Sequence, residues 1–214
     1  VGGDIGIIDP HPGQLRFSPE HDRNHLLRRA LAMGADQAVH LRDDTFAACD
    51  ALGAARALAA AIAKRPYDLV FTGAVSGDTG SAGIGGMLAA LLDLPQVALA
   101  TRTKVSDGKI EVQHEVEGGL ERVVELDLPA VVTVQTGINE PRYVSIRGIR
   151  KVAGVEIPVE GAADLGLDAA ALAPQVTLQE LTLPPTGEGA AILEGGADEV
   201  AEQLVERLRE RGGI

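Results

Sequence analysis

The sequence predicts an α/β fold: a mostly parallel, doubly wound sheet with an antiparallel addition and a C-terminal arm. Three observations carry that expectation. Short apolar runs alternate with helix-period segments as far as Leu92, the rhythm of strand–helix–strand crossovers. From Val97 to Leu126 the rhythm changes to strand-like runs separated only by Asp107-Gly108 and Gly118-Gly119, which are hairpin turns. Residues 158–189 are then rich in Pro, Gly and Ala and show no period.

Asp4–Ile8 reads as a short buried strand cut off by Asp9-Pro10, and His11–His21 as irregular chain. Ser18-Pro19 gives a helix start, with Ser as cap and Pro in the first turn. Leu26, Leu27, Ala30, Leu31 and Met33 supply its apolar face before Gly34 ends it. Ala38–Leu41 is a second buried strand, Asp50–Lys64 a long Ala-rich helix, and Asp68–Gly73 a third strand. A Gly-rich turn leads into a helix over about 82–92. Val97–Val105, Lys109–Glu117 and Glu121–Leu126 form the antiparallel meander, and Ala130–Val134 returns as a buried strand. The last helix, Asp198–Arg211, lines up Val200, Leu204, Val205 and Leu208 on one face. The expected division is a domain over 1–157 and an arm over 158–214 that packs on this domain or on a partner chain.

The 214 residues are 45% hydrophobic and only 2% aromatic, without Trp, so the core is built from Ala, Val, Leu and Ile. A net charge of −12 disfavours nucleic acid, as does the lack of a basic, aromatic-studded cluster. The single cysteine, Cys49, excludes an internal disulfide and a multi-cysteine metal site; lying among alanines, it reads as a small buried hydrophobe. No apolar run approaches the ~20 residues of a membrane span, and no leader opens the chain. A soluble intracellular protein is expected. Val1 is not an initiator residue, so a missing or processed start is expected too.

The chemistry-bearing segment runs from Gly73 to Gly85, after a strand and into a helix. In a parallel sheet that is the carboxyl edge, where ligands bind. Its glycines admit a ligand to the backbone, the helix start adds partial positive charge, and Asp78, Thr79 and Ser81 offer side-chain hydrogen bonds. It matches neither a P-loop nor a clean dinucleotide fingerprint. Two readings stay open: a phosphate seat, or a tight turn whose glycines serve helix–sheet packing. His21 and His25 stand one helical turn apart, but Arg23, Arg28 and Arg29 would repel a cation there. No nucleophile has an obvious base, so no catalytic residue is assigned.

Four runs carry a family resemblance: Ala30-Leu-Ala-Met-Gly-Ala-Asp36, Glu115-Val-Glu-Gly-Gly-Leu-Glu121, Leu128-Pro-Ala-Val-Val-Thr133 and Ile138-Asn-Glu-Pro-Arg-Tyr143. Together, in order from about 24 to 151, they resemble electron-transfer flavoprotein beta subunits; Asp164-Leu-Gly-Leu-Asp168 and the last helix extend the likeness. The resemblance implies an adenine-nucleotide-hydrolase-like fold and a heterodimer whose alpha subunit holds most of the FAD. It implies AMP in this chain, bound by Gly73, Asp78, Thr79, Gly80, Ser81, Ala82, Gly83 and Ile84, with the phosphate on the N–H groups near 81–84. The family's polar helix start is replaced here by Ala82, Gly83 and Ile84, leaving backbone donors only. The family's first strand and helix are also missing, the chain beginning at the equivalent of its second strand.

A partner-recognition loop is implied at Tyr143–Lys151, with Ile146 as the apolar anchor and Arg147, Arg150 and Lys151 around it; without the resemblance, Ile146 reads as a core residue at a strand end. The implied role is non-catalytic: electrons pass from flavin dehydrogenases of the acyl-CoA type to FAD, then to a quinone oxidoreductase or similar acceptor. That work belongs in a bacterial cytoplasm or a mitochondrial matrix. Two alternatives are a bifurcating flavoprotein subunit with a second FAD in place of AMP, and a universal-stress-type nucleotide-binding homodimer without flavin.

Overall fold

The computed structural model describes residues 6–10, 24–77, 80–177, 179–180, 182–183, 185, 187 and 189–213. The chain divides into two compact units, Val1–Thr177 and Leu178–Ile214. In the first unit the strands form two sheets. β1 (Gly6–Pro10) pairs in parallel with β2 (Gln37–Leu41), and β2 with the two-residue β8 (Val159–Glu160). The second sheet has the order β3 (Leu69–Gly73), β7 (Ala130–Val134), β4 (Gln96–Ser106), β5 (Lys109–Val116), β6 (Leu120–Asp127). The β3–β7 and β7–β4 pairs are parallel, and the β4–β5 and β5–β6 pairs antiparallel.

The expected α/β class, mostly parallel with an antiparallel addition, is therefore what the chain adopts. Among the described residues the parallel strands fall in two sheets, with β1 and β3 each at an edge. The expected strand start at Asp4 and helix start at Ser18 lie outside the described residues.

β4 belongs to both halves of its sheet, and a local distortion makes that possible. Its pairing with β7 shifts register between Val97 and Ala100. There Leu99 takes a left-handed φ of 59°, and its N–H donates to Thr133 Oγ1 at 3.0 Å. The bulge turns the strand from its parallel neighbour toward the hairpin.

α1 (Asn24–Met33) buries Leu27 and Leu31 against Ala38, Val152 and Ile157. It ends where Gly34, at φ 114°, lets two amides turn back: Gly34 N–H to Leu31 O and Ala35 N–H to Ala30 O, both 3.1 Å. α2 (Ala51–Ala63) packs a small-residue surface of Ala57, Ala59 and Ala61 with Leu58 and Ile62 against Val39, Leu41 and Leu88. Such short side chains bring helix and sheet close, as the aromatic-poor composition requires. α3 (Ile84–Leu92) lies along β3 and β7 and stops at Asp93, which is left-handed at φ 55°.

The two compact units part after Thr177. Residues just beyond 157 pack on the first unit, because polar groups there complete hydrogen bonds with β2 and α2. Asp43 accepts from Ala162 N–H (2.9 Å), and Asp50 from Gln175 N–H (2.7 Å) and Val176 N–H (3.1 Å). Arg56 donates to Ala171 O of α5 (Ala169–Leu172) at 2.6 Å. Glu160 is ion-paired with Lys64 at 3.2 Å and with Arg65. Burial alone would raise the Glu160 pKa, but hydrogen bonds and charge from Arg65 and Lys64 outweigh it and hold the carboxyl below its ordinary value.

The second unit contains α6 (Ala197–Glu210), whose Glu199 carboxylate accepts from Gly196 N–H at 3.0 Å. Acidic Asp198 and Glu199 in its first turn and Arg207 and Arg209 in its last oppose the helix dipole favourably. None of its residues is buried. No described helix is long and apolar enough to cross a membrane.

Candidate functional site

The turn after β3 is organised by one serine. Ser76 N–H donates to Ser81 O (2.9 Å), Gly80 N–H to Ser76 O (3.1 Å), and Ser81 N–H to Ser76 Oγ (3.1 Å). These three bonds close the loop between Ser76 and Ser81 before α3 begins. Ser76 was not among the residues expected to matter; its signal was a small hydroxyl five residues before Ser81, enough to tie off a loop.

Four amides were expected to face a phosphate. Ser81 N–H is not free for one, since Ser76 Oγ takes it. Gly83 N–H reaches only Ser81 Oγ, at a long 3.5 Å. Ala82 and Ile84 N–H have no hydrogen-bond partner among the described residues. Gly83 caps α3 without any side-chain hydrogen bond, so no described side chain caps the positive end of the helix dipole. Asp78 and Thr79 lie outside the described residues.

The glycines divide between the two roles that the segment left open. A Cβ on Gly73, Gly77 or Gly80 would meet nothing within 4 Å, so this side of the turn is open. A Cβ on Gly85 would overlap Thr133 Cγ2 and sit 2.8 Å from Thr72 Oγ1. Gly85 is buried, and its hydrogen lets α3 lie on β3 and β7. Packing therefore explains Gly85, while space for a ligand opens at Gly73–Gly80.

The turn borders a cavity of about 1010 Å³ that runs along β3. Its walls include Phe71, Thr72, Gly73, Val75, Ser76, Ser81 and Ile84, with Arg65, Tyr67 and Asp68 at the other end of the strand. Phe71 and Val75 are 51% and 58% exposed, so apolar surface is offered to an occupant. Thr72 Oγ1 is buried with no partner among the described residues. An apolar cleft with a few convergent polar groups is the usual form of a small-molecule site. The cleft lies along β3, an edge strand among the described residues.

The second expected site is also laid out. Residues 146–152 form a short helix, α4 (Ile146–Val152), capped by Ser145 Oγ, which accepts from Gly148 N–H at 3.0 Å. Tyr143 and Ile146 are 89% and 70% exposed, and Ile149 is exposed beside them. Ile146 is thus neither in a strand nor in the core. Arg147, Arg150 and Lys151 are all exposed on the same helix. Ile149, three residues from Ile146 and so on the same helix face, was missed by the sequence reading.

Among the described residues no three His, Cys, Asp or Glu gather to hold a metal ion. His40 is buried on β2 and His114 lies on β5, while His21 lies outside the described residues. Cys49 is half-buried and its thiol pKa is raised by burial and by Asp50; it is a poor nucleophile.

A helix start at the carboxyl edge of a parallel strand, beside an apolar cleft, is the arrangement in which α/β proteins commonly receive a ligand. Residues 17–165 match the electron transfer flavoprotein domain. The chain is 36% identical over 192 residues to an electron transfer flavoprotein subunit beta of Methylophilus methylotrophus, covering 87% of this chain and 72% of the relative. It is 37% identical over 191 residues to that of Mus musculus, covering 88% and 71%. It is 35% identical over 216 residues to the caffeyl-CoA reductase-Etf complex subunit CarD of Acetobacterium woodii, covering 96% and 81%. The chain belongs to the beta-subunit family of electron transfer flavoproteins.

Proposed function

We propose that this chain holds AMP at the turn between β3 and α3 and docks acyl-CoA-type flavin dehydrogenases through α4. It works in a heterodimer whose alpha subunit holds most of the FAD, and electrons leave to a quinone oxidoreductase or similar acceptor. The chain carries out no bond chemistry of its own. The single observation behind the nucleotide role is the start of α3, which no described side chain caps and which lies beside the cavity. Backbone donors at such a helix start suit a phosphate whatever the side chains are. Asp78 and Thr79 flank the same turn in sequence, and Gly73 and Gly80 leave room for the nucleotide. The partner role draws on Ile146, exposed and ringed by Arg147, Arg150 and Lys151: burying one Ile stabilises by about 1.5–3 kcal/mol, suited to a short-lived encounter with an acidic-rimmed partner. The arm, from about residue 158 and above all its α6 helix, packs on the alpha subunit. The site of work is the cytoplasm in a bacterium or the mitochondrial matrix in a eukaryote.

The second reading is a second FAD in place of AMP, whose phosphates would use the same turn. Nucleotide released by denaturing the purified heterodimer separates the cases by mass. AMP at one equivalent supports the first reading, and a second equivalent of FAD the other. Flavin alone at one equivalent overturns nucleotide binding here.

A further inference from the structure

We infer that Arg28 and Arg142 are positioning residues that fasten the two ends of the α4 segment to α1, so that Ile146 and Ile149 are held out ready for a partner. The inference rests on the docking role proposed for α4. Of the residues in α4 only Val152 is buried, while Ile146 and Ile149 point to solvent. Ordinary core packing therefore holds this helix by one side chain. Seven residues tethered so lightly would fray, and ordering them at each encounter would cost more than burial of one isoleucine returns.

Two guanidinium groups supply what packing does not. Arg28 Nη1, from the middle of α1, donates to Val152 O at 2.8 Å and to Val155 O at 2.9 Å. Val152 closes α4, and its carbonyl accepts from Val155 N–H at 3.1 Å as well as from Arg28. At the other end Arg142 Nη1 donates to Met33 O, the last residue of α1, at 3.3 Å. Two glycines lie at these contacts. The Arg142 Nη1 atom comes within 2.7 Å of where a Cβ on Gly34 would stand, and Ala32 O within 3.4 Å of one on Gly148, so α4 and α1 are in contact there. Arg142 is thus engaged with α1, and the basic rim around Ile146 consists of Arg147, Arg150 and Lys151.

The test uses the flavin-loaded heterodimer with four variants: Ile146→Ala, Arg28→Met, Arg142→Met and the conservative Arg28→Lys. Reduction by a purified acyl-CoA dehydrogenase gives KM and kcat for the heterodimer, and hydrogen exchange of residues 143–155 reports the order of the segment. The expected result for both methionine variants is faster exchange confined to that segment. Their KM should rise by on the order of tenfold, the loss of about one charge-assisted hydrogen bond, with kcat and flavin content unchanged. Arg28→Lys, which keeps a donor, should recover much of the loss. Unchanged exchange and KM in the methionine variants, while Ile146→Ala raises KM, would overturn this inference and leave the docking role standing. An unchanged KM in Ile146→Ala would overturn the docking role itself, and the inference with it. A methionine variant that loses flavin and melts early has a merely structural arginine, which also overturns the inference, as does failure of Arg28→Lys to recover KM while it folds and holds flavin.

Discussion

Thr133 joins three elements through one side chain. Its Oγ1 accepts from the Leu99 N–H at the bulge in β4, and its Cγ2 fills the space that Gly85 leaves open in α3. Thr133→Val keeps the shape and removes the acceptor, so a part-buried amide loses its partner. The expected cost is about 0.5–1.5 kcal/mol, read as a lowered melting temperature of the heterodimer. Gly85→Ala attacks the same junction from the helix side. The added methyl overlaps Thr133 and must push α3 off the sheet, at about 1–3 kcal/mol, and the displaced amides should also weaken nucleotide retention. Gly73→Ala, where a Cβ meets open space, is the control; retention falling equally in both would argue against the distinction between packing and ligand glycines. The sequence showed a glycine turn opening a helix, since strand, turn and helix leave separate marks. Which glycine served which role was not visible: that depends on Thr72 and Thr133, and Thr133 is about fifty residues away in the chain.

Asp50 shows how an element's end can serve two elements at once. One carboxylate oxygen accepts from Gly53 N–H at 2.9 Å and caps α2, and the other holds the Gln175 and Val176 amides. The Gly53 amide does most to lower the Asp50 pKa; burial opposes this, and the Gln175 and Val176 amides add to it. A depressed carboxyl contributes stability that is complete above its unfolded pKa of about 3.9 and is lost as pH falls through the folded value. Asp50→Ala should therefore cost about 1 kcal/mol near neutral pH, and its melting temperature should converge on that of the unaltered protein as pH drops below about 4. A constant gap down to acid pH would show that the charge is not the source. α2 was readable because its alanines face its own core. α4 was not, since hydrophobic periodicity reports what a chain buries within itself, and Ile146 and Ile149 are left outside. Only the Ser145-to-Gly148 cap spacing hinted at a helix there.

At the scale of the molecule, local signals defined the parallel and antiparallel halves but could not say how many sheets they make. Strand pairing is decided by contacts far apart in sequence, such as β2 with β8. The same reasoning bears on the second unit. α6 sets Leu204, Val205 and Leu208 along one side at 38–48% exposure, and a helix with this pattern and no buried residue has its stabilising surface elsewhere. Under the proposal that the alpha subunit covers it, each leucine, already more than half covered, gains roughly half of the ~1.5–3 kcal/mol of a full burial. The double substitution Leu204→Asp with Leu208→Asp should then weaken heterodimer formation by roughly tenfold or more. Dilution on a sizing column with a flavin absorbance trace should separate a colourless beta subunit from its partner. The capping of α6 by Glu199 and the remaining helix charges are untouched, so circular dichroism of the isolated chain should change little. A heterodimer that survives dilution unchanged would mean that the alpha subunit grips some other surface and that α6 faces water or another partner.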